Sequence, residues 1–148
     1  MPTARDPRDA KPDRAPAAAA FGRLAYIYMP SQDVAADLAY YVTVLGARVV
    51  FAIEGMGTRV AMVELSDDPP QLLLAEHLEG ERPVLVYRVE DLAAAERALT
   101  ARGWRGGESL EIPQGPVRSF SVPGGHRIAL YEETRPHVID TFAGRRDF

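Results

Sequence analysis

The sequence predicts an α+β fold made of two βαβββ units that follow one another along the chain. One observation is a repeated closing strand, since residues 71–76 (QLLLAE) and 127–132 (RIALYE) have apolar residues at the same places and end in glutamate. The other observation is a steady spacing. Three matched pairs of residues lie 58, 57 and 56 positions apart: Asp33 and Asp91, Gly46 and Gly103, and Leu73 and Ala129. Such a spacing across a helix start, a helix end and a strand is typical of an internal repeat.

The first unit covers residues 22–77 and opens with a strand at 24–29, where aromatic and branched residues are concentrated. Asp33 is the predicted N-cap of a helix over 34–45, which Gly46 ends in a left-handed conformation. The buried face of this helix is predicted from apolar residues at helical spacing: Val34, Leu38, Tyr41, Val42 and Leu45. Strands are predicted at 48–53, 58–65 and 71–76, with turns at 54–57 and 67–70.

The second unit covers residues 83–133 and repeats this order after a polar connector at 78–82. Asp91 opens its helix, which runs to Ala101 and is closed by Gly103. The predicted strands lie at 83–89, 108–112, 117–122 and 127–132. We therefore expect one domain over residues 21–133.

Two segments lie outside this domain. Residues 1–20 are charged and rich in proline and alanine, a composition that predicts a disordered tail. Residues 134–148, the C-terminal segment, have few apolar residues, chiefly Val138, Ile139 and Phe142. The C-terminal segment is expected to pack across a sheet edge, to contact a partner subunit, or to be loose.

Composition excludes several classes of function. The net charge is −4 and the pI is about 5.4, whereas a nucleic-acid-binding protein typically has a basic surface and a high pI. There is no cysteine, which excludes disulfides and thiolate metal sites and fits a reducing, cytoplasmic setting. No apolar run approaches the roughly 20 residues of a membrane span, and the charged N-terminus is unlike a secretory signal. We expect neither a nucleic acid nor a membrane as partner.

Four segments together resemble the vicinal oxygen chelate family, which includes glyoxalase I, extradiol dioxygenases, fosfomycin-resistance enzymes and bleomycin-binding proteins. They are DVAADLAYYVTVLG, QLLLAEH, VLVYRVEDLAAAERAL and VPGGHRIALYE, the last being similar to the family ending DPxGNxIEL. The resemblance covers residues 21–133. It implies that each unit folds its strands into a curved half-barrel and that the two units enclose a cleft for a ligand or a metal ion. It also implies a homodimer.

Enzymes of this family hold a divalent metal with His or Glu from the first and last strands of each unit. In this chain the first-strand positions fall at Val84 and at Tyr26, or at Ala25 if one residue is inserted. The last-strand positions fall at Ala129 and Leu73. None of these residues is His, Asp or Glu. The resemblance therefore supports the fold, while the residues predict that no metal cofactor is bound.

Other candidate residues for chemistry are few. His77 is predicted to end a strand and face solvent, His126 to lie in a turn, and His137 to lie in the C-terminal segment. Glu76 and Glu132 occupy equivalent places, but strand alternation turns them away from residues 73 and 129. No Ser-His-Asp spacing, phosphate loop or H-E-x-x-H pattern is present.

The remaining candidate is an apolar, tyrosine-lined cleft. Alternation places Val84, Val86 and Arg88 on one face of their strand, and a charged Arg88 is not expected to point into a helix-packed core. The predicted ligand-binding set is Tyr26, Tyr28, Leu73, Ala75, Val84, Val86, Arg88, Ala129 and Tyr131. It suits a flat, partly polar organic ligand, although the same side chains would also suit a filled half-barrel.

Three functions remain open at this point. The leading hypothesis is a metal-independent small-molecule-binding protein that sequesters an aromatic or partly polar ligand. The second is a glyoxalase-like lyase or dioxygenase with a divalent metal at unusual positions, such as His77. The third is a structural or regulatory module whose cleft is filled.

Overall fold

The computed structural model describes residues 21–148 and contains one curved, unclosed sheet of eight strands with two helices. The elements in chain order are β1 (Phe21–Pro30), α1 (Val34–Thr43), β2 (Arg48–Gly55), β3 (Thr58–Glu64), β4 (Gln71–Ala75), β5 (Val84–Val89), α2 (Leu92–Ala101), β6 (Glu108–Ile112), β7 (Gly115–Ser121) and β8 (Arg127–Glu132). This order confirms the predicted α+β class with two βαβββ units. The tail predicted at 1–20 lies outside the described residues.

The strand order in the sheet is β2-β3-β4-β1-β5-β8-β7-β6. Within each unit the first strand pairs in parallel with the last, β1 with β4 and β5 with β8. The two units meet through β1 and β5, which are antiparallel with Ile27 opposite Leu85. The first strands therefore form the seam between the two units. The units are related by a local two-fold axis close to this pair of strands. The outermost strands of the sheet are β2 in the first unit and β6 in the second.

Both helices pack on the same face of the sheet and begin as the sequence predicts. The Asp33 side chain accepts a hydrogen bond from the Ala36 amide, and the Asp91 side chain accepts one from the Ala94 amide, each at 3.0 Å. Helix α1 buries Val34 and Leu38 in a cluster with side chains of β2, β3 and β4, and α2 buries Leu92 and Ala95 in a cluster with Val89 and Leu130.

The end of α1 differs from the prediction. The helix stops at Thr43, and the amides of Val44 and Leu45 both bond to the Tyr40 carbonyl. Val42 and Leu45 are 37 % and 48 % exposed, so their assignment to the buried face was wrong. Val42 lies about 80° around the helix from Val34, at the margin of the apolar stripe, and Leu45 lies beyond the helix, where its spacing no longer applies.

Several strand limits also differ from the predicted ones. Strand β1 extends past 24–29 at both ends, and β7 is displaced toward the chain start relative to the predicted 117–122. Between β2 and β3, Gly55 pairs with Thr58, and Met56 and Gly57 between them have φ values of 53° and 76°. Two left-handed residues in succession are typical of a type I′ turn. The twist of this turn matches that of the two strands it joins.

The C-terminal segment starts against the hairpin that joins β6 and β7. The backbone amides of Thr134 and Arg135 both donate to the Gln114 carbonyl at 3.0 Å. The Arg135 guanidinium donates to the carbonyls of Pro113 and Ile112 at 2.7 and 2.9 Å. A short 3-10 helix, Val138–Thr141, follows.

The C-terminal segment ends along β2, at the opposite end of the sheet. The Gly144 amide donates to the Val50 carbonyl at 2.7 Å, the Ala52 amide to the Arg145 carbonyl at 2.8 Å, and the Asp147 amide to the Ala52 carbonyl at 2.7 Å. Of the three alternatives for this segment, packing across a sheet edge is therefore correct. None of the helices within residues 21–148 has the length and apolar character needed to cross a membrane.

Candidate functional site

The face of the sheet opposite the helices, the concave face, carries a continuous row of side chains. Strand register places these residues side by side from β2 to β7: Phe51, Met62, Leu73, Tyr28, Val84, Arg127 and Ser121. Residues that are direct partners across a sheet point to the same side. The register therefore gives the concave face side chains from both units.

The predicted ligand-binding residues all lie on this face. Four of them are buried in one cluster, Val84, Val86, Ala129 and Tyr131, with Tyr26 and Tyr28 packed at its border. Leu73 and Ala75 lie on the first-unit part of the face, in register with Tyr28 and Pro30. Arg88 is in register with Tyr131, while its neighbours Tyr87 and Val89 pack on the helix side.

Segments of the chain itself cover part of the concave face. Leu78 of the connector and Ile112 of β6 pack on the buried cluster. The Arg127 guanidinium holds the connector in place, donating to the carbonyl of Glu79 at 2.7 Å and to that of Arg82. From the C-terminal segment, the Phe142 ring lies 5.9 Å from the ring of Phe51. Sequence reasoning missed this cover because the connector and the C-terminal segment are mostly polar.

One end of the site, the arginine end, consists of Tyr26, Arg88, Tyr131 and Glu133. Nη1 of Arg88 lies 2.8 Å from Oε2 of Glu133, and the two side chains are 44 % and 20 % exposed. The Tyr26 and Tyr131 rings are 5.7 Å apart. Burial raises the pKa of Tyr131, the Tyr26 hydroxyl and Glu133 raise it further, and Arg88 opposes them. The Tyr131 phenol is therefore neutral at physiological pH and acts as a hydrogen-bond donor or acceptor.

The other end, the histidine end, consists of Tyr28, Thr58 and His77. The Tyr28 hydroxyl lies 2.8 Å from Nε2 of His77, and the Thr58 hydroxyl lies 3.2 Å from Nδ1. Burial raises the pKa of Tyr28. His77 is exposed, as predicted, but its two partners depend on the register of β1, β3 and β4, which the sequence alone did not supply.

The arrangement does not fit a divalent metal. Val84, Leu73 and Ala129, three of the positions that the family resemblance implies, have no lone pair to offer, and the alternative Ala25 is buried in the same apolar cluster. Tyr26 presents only a phenol. Within residues 21–148 no group of three or more His, Asp or Glu side chains is close enough to hold a metal ion. His77 has a phenol and a hydroxyl as partners, where a metal site would need further carboxylates or imidazoles.

The paired glutamates of the closing strands have a structural role. Oε1 of Glu76 accepts a hydrogen bond from the Val34 amide at 3.2 Å, and Oε1 of Glu132 accepts one from the Leu92 amide at 2.9 Å. Each carboxylate thus binds the first turn of the helix in its own unit, where free amides and the helix dipole favour an anion. The predicted orientation away from the concave face is confirmed, and an acid pair is excluded.

A groove of about 540 Å³ lies elsewhere, on the helix side between α2 and the strands β6 and β7. Its main polar groups already have partners, since Arg118 pairs with Glu96 and Glu132 binds the Leu92 amide. None of the predicted ligand-binding residues lines this groove. It is therefore separate from the candidate site.

Comparison with solved structures identifies similar folds. The chain resembles methylmalonyl-CoA epimerase from Mycobacterium tuberculosis with a TM-score of 0.65 and 20 % identity, over 80 % of this chain and 92 % of that one. A Streptomyces coelicolor methylmalonyl-CoA epimerase variant in complex with 2-nitronate-propionyl-CoA gives 0.61 and 18 %, over 78 % and 96 %. A hypothetical protein from Bacillus halodurans C-125 gives 0.60 and 14 %, over 76 % and 95 %.

Comparisons of the sequence alone found no match. No family model matches the chain, and no curated protein matches it. The methylmalonyl-CoA epimerases have the vicinal oxygen chelate fold, so the predicted resemblance is confirmed at the level of the fold. At 14–20 % identity the likeness shows the fold alone.

Proposed function

We propose that this protein binds a small, partly polar aromatic ligand on its concave face without the help of a metal ion. The observation that carries the proposal is the arginine end: a guanidinium that is 44 % exposed stands beside a buried, tyrosine-lined apolar surface. Such a combination of an apolar wall with a few fixed polar groups is typical of small-molecule sites. The predicted ligand-binding set remains the proposed site.

The Arg88 guanidinium orients the anionic part of the ligand. It has five N–H donors in a rigid fork, and Glu133 contacts it through Nη1. The remaining donors suit a carboxylate, an enolate or a phenolate by paired hydrogen bonds. The phenols of Tyr26 and Tyr131 supply further hydrogen bonds, and their rings supply flat apolar surface.

The apolar part of the ligand contacts the middle of the concave face. Val84, Val86 and Ala129 are 5 %, 7 % and 3 % exposed in the state described, and side chains that include Leu78 of the connector and Ile112 of β6 pack against them. Ligand binding therefore replaces contacts with the chain's own cover by contacts with the ligand. This exchange keeps apolar surface away from water in both states.

The alternative function is a glyoxalase-like lyase or dioxygenase with a metal at unusual positions. The fold neighbours include proteins named as epimerases, so catalysis on this scaffold is a reasonable alternative. It would need His77 as a ligand together with at least two further donors, and the partners of His77 are Tyr28 and Thr58. The geometry supports binding better than metal catalysis.

The test uses 8-anilinonaphthalene-1-sulfonate, an aromatic anion whose fluorescence rises in apolar sites. Arg88→Met should weaken its binding about 30-fold, which corresponds to about 2 kcal/mol for a lost charge-assisted contact. The matched control is Arg97→Met on the exposed side of α2, which should leave the affinity unchanged. The free energy of unfolding of Arg88→Met should change by less than about 1 kcal/mol, since its ion pair is partly exposed.

A different result would favour a filled core. If Arg88→Met destabilised the fold by about 3 kcal/mol, as for an acid left without its partner in the interior, and neither protein bound aromatic anions, the binding function would be rejected.

We also propose that the protein is a homodimer that acts in the cytosol. Tyr40 and Val44 at the outer end of α1 are 56 % and 60 % exposed, whereas the equivalent positions of α2 carry Ala98 and Arg102. The fold therefore does not require large apolar groups there, and a second copy would cover them. The double variant Tyr40→Ala with Val44→Arg carries the residues found in α2. It should be a monomer where the wild-type protein is a dimer, and light scattering measures the difference in mass. A monomeric wild-type protein would contradict this proposal.

A further inference from the structure

We propose that residues 142–148 of the C-terminal segment form a movable wall of the ligand site, with Phe142 as a ligand-contacting residue. The inference rests on the proposed function and adds to it a route of entry. It predicts that the ligand reaches the concave face when this part of the segment leaves β2, and that Phe142 closes on the ligand when it returns.

The position of the C-terminal segment is the first argument. It leaves the sheet at Glu132, is fastened to the β6–β7 hairpin through the Gln114 carbonyl, and reaches β2 at the other end of the strand order. The segment thus connects the two outer ends of an open, curved sheet. Between these two attachments, the contact of Phe142 with Phe51 places the segment at the β2 end of the concave face.

The contact of Phe142 is the second argument. Its ring is half-buried and lies 5.9 Å from Phe51, which is 5 % exposed. Phe51 belongs to the concave face, since it is in register with Met62, which is in register with Leu73. Leu73 in turn lies opposite Tyr28. The Phe142 ring therefore extends the same surface that the proposed ligand contacts.

The attachment of the segment to β2 consists of hydrogen bonds at the protein surface, which is the third argument. Residues 143–147 are all exposed, three main-chain hydrogen bonds join them to Val50 and Ala52, and the Glu54 amide donates to the Asp147 carboxylate at 2.9 Å. At its end Phe148 packs at the border of the α1 cluster, with the Arg59 guanidinium 5.2 Å from the ring centroid. Segments with exposed hydrogen bonds and few buried contacts open locally well below the global unfolding free energy.

The internal repeat supplies the fourth argument. In the second unit the equivalent outer strand is β6, and four of its five residues are exposed. Within residues 21–148 no other segment pairs with the outer edge of β6. Because β6 keeps its place without such a cover, β2 does not need residues 144–147 to remain in the sheet. The cover can leave while the fold persists.

A reversible lock tests the inference directly. The chain has no cysteine, so Ala52→Cys with Arg146→Cys introduces the only possible disulfide. Ala52 and Arg146 are partners in an isolated bridge, and bridge partners are about 5 Å apart, which is within the range that a disulfide spans. Association of 8-anilinonaphthalene-1-sulfonate, followed by stopped-flow fluorescence, should be at least about tenfold slower in the oxidised protein than in the same protein after reduction.

The controls separate opening from side effects of the substitutions. The single variant Ala52→Cys should behave alike with and without reductant. Phe142→Ala should bind the probe at least about fivefold more weakly, because a wall of the site is missing. Equal association rates in the oxidised and reduced double variant would overturn the inference.

Amide hydrogen exchange of the wild-type protein provides a readout without substitution or ligand. The amides of Ala52 and Asp147 should exchange at least about 100-fold faster than amides of the β3–β4 ladder, through local opening. If they exchange only with the ladder, the wall does not open and the inference is wrong. If no form of the protein binds the probe, the proposed function fails for aromatic anions, and the exchange result still decides whether the segment moves.

Discussion

At the scale of single residues, Tyr131 illustrates how position alone decides the state of a side chain. It occupies the place in β8 that Ala75 occupies in β4, so the second unit carries a phenol where the first carries a methyl group. Its side chain is only 2 % exposed, and burial is the main reason why its pKa is raised. The raised pKa links folding stability to alkaline pH.

The sign of that linkage follows from proton binding. The unfolded chain loses the Tyr131 proton near the ordinary pKa of 10.0, while the folded protein keeps it to higher pH. Above about pH 10 the folded state binds more protons, so the free energy of unfolding falls as pH rises. We expect the Tm to fall from about pH 9 to about pH 11, and less steeply in Tyr131→Phe.

Tyr131→Phe removes the titrating hydroxyl and keeps the ring, so a change in the alkaline slope reports this phenol alone. Equal slopes in wild type and Tyr131→Phe would show that burial of this phenol does not govern alkaline stability.

The sequence predicts site residues whose position follows from local strand alternation, and it misses those that depend on contacts between distant parts of the chain. The alternation of a strand has a period of two, so the common side of Val84, Val86 and Arg88 follows from spacing alone. The Arg88 partner Glu133 was missed because it lies just beyond β8, where alternation no longer fixes the direction of a side chain. The contact between His77 and Thr58 was missed because it needs the register between two strands.

At the scale of elements, Glu76 and Glu132 fasten each helix to the closing strand of its unit. Replacing Glu132 by Ala leaves the Leu92 amide without this acceptor and should lower the free energy of unfolding by about 1 kcal/mol. Glu132→Gln keeps a carbonyl acceptor and should lower it by only a few tenths of a kcal/mol. Urea denaturation of the three proteins measures both differences.

The equivalent glutamate of the first unit, Glu76, allows the same substitution to be tested a second time. Glu76→Ala should lower the free energy of unfolding by a similar amount through the Val34 amide, at 3.2 Å against 2.9 Å in the second unit. The two losses should add, because the helices lie on different units and share no partner. Clear non-additivity would mean that the two helix anchors are coupled through the seam.

The elements themselves divide into predictable and unpredictable ones. Helix starts followed from Asp33 and Asp91, since a cap is a local interaction within four residues. The docking of the C-terminal segment remained one of three alternatives, because its partners are main-chain groups of β2, which lie far away along the chain. Main-chain hydrogen bonds leave no trace in side-chain pattern.

At the scale of the whole molecule, the absence of suitable ligands in the cleft predicts a protein without a stoichiometric metal. Protein purified without added metal should contain less than about 0.1 equivalent of Zn, Ni, Mn or Fe per chain. Its Tm should not change on treatment with a chelator, because no metal would stabilise the folded state.

Elemental analysis distinguishes the two candidate functions. About one tightly bound transition metal per chain, lost only on chelation and accompanied by a lower Tm, would contradict the prediction and favour the enzyme. Replacing His77 by Ala should then remove the metal, whereas in a metal-free protein it should remove only the contacts to Tyr28 and Thr58.

The global architecture was the most predictable part of the molecule. The order of the elements and the equivalence of the two units followed from one spacing repeated along the chain, which is a property of the sequence itself. The seam between β1 and β5 is different, because pairing of first strands depends on two units meeting in space. The family resemblance implied two half-barrels that enclose a cleft, and the pairing of β1 with β5 came from the structure.

The helix side of the sheet carries the anchors of the fold and the concave side carries the proposed site, which affects how the two units can differ in sequence. On the helix side the units kept the same anchors, Asp33 with Asp91 and Glu76 with Glu132. On the concave side the equivalent positions have become unlike, such as Ala75 with Tyr131 and His77 with Glu133. Alternation keeps the two sets physically apart. After duplication, one half can therefore acquire new recognition while the other preserves the old, and neither change disturbs the anchors that hold the fold.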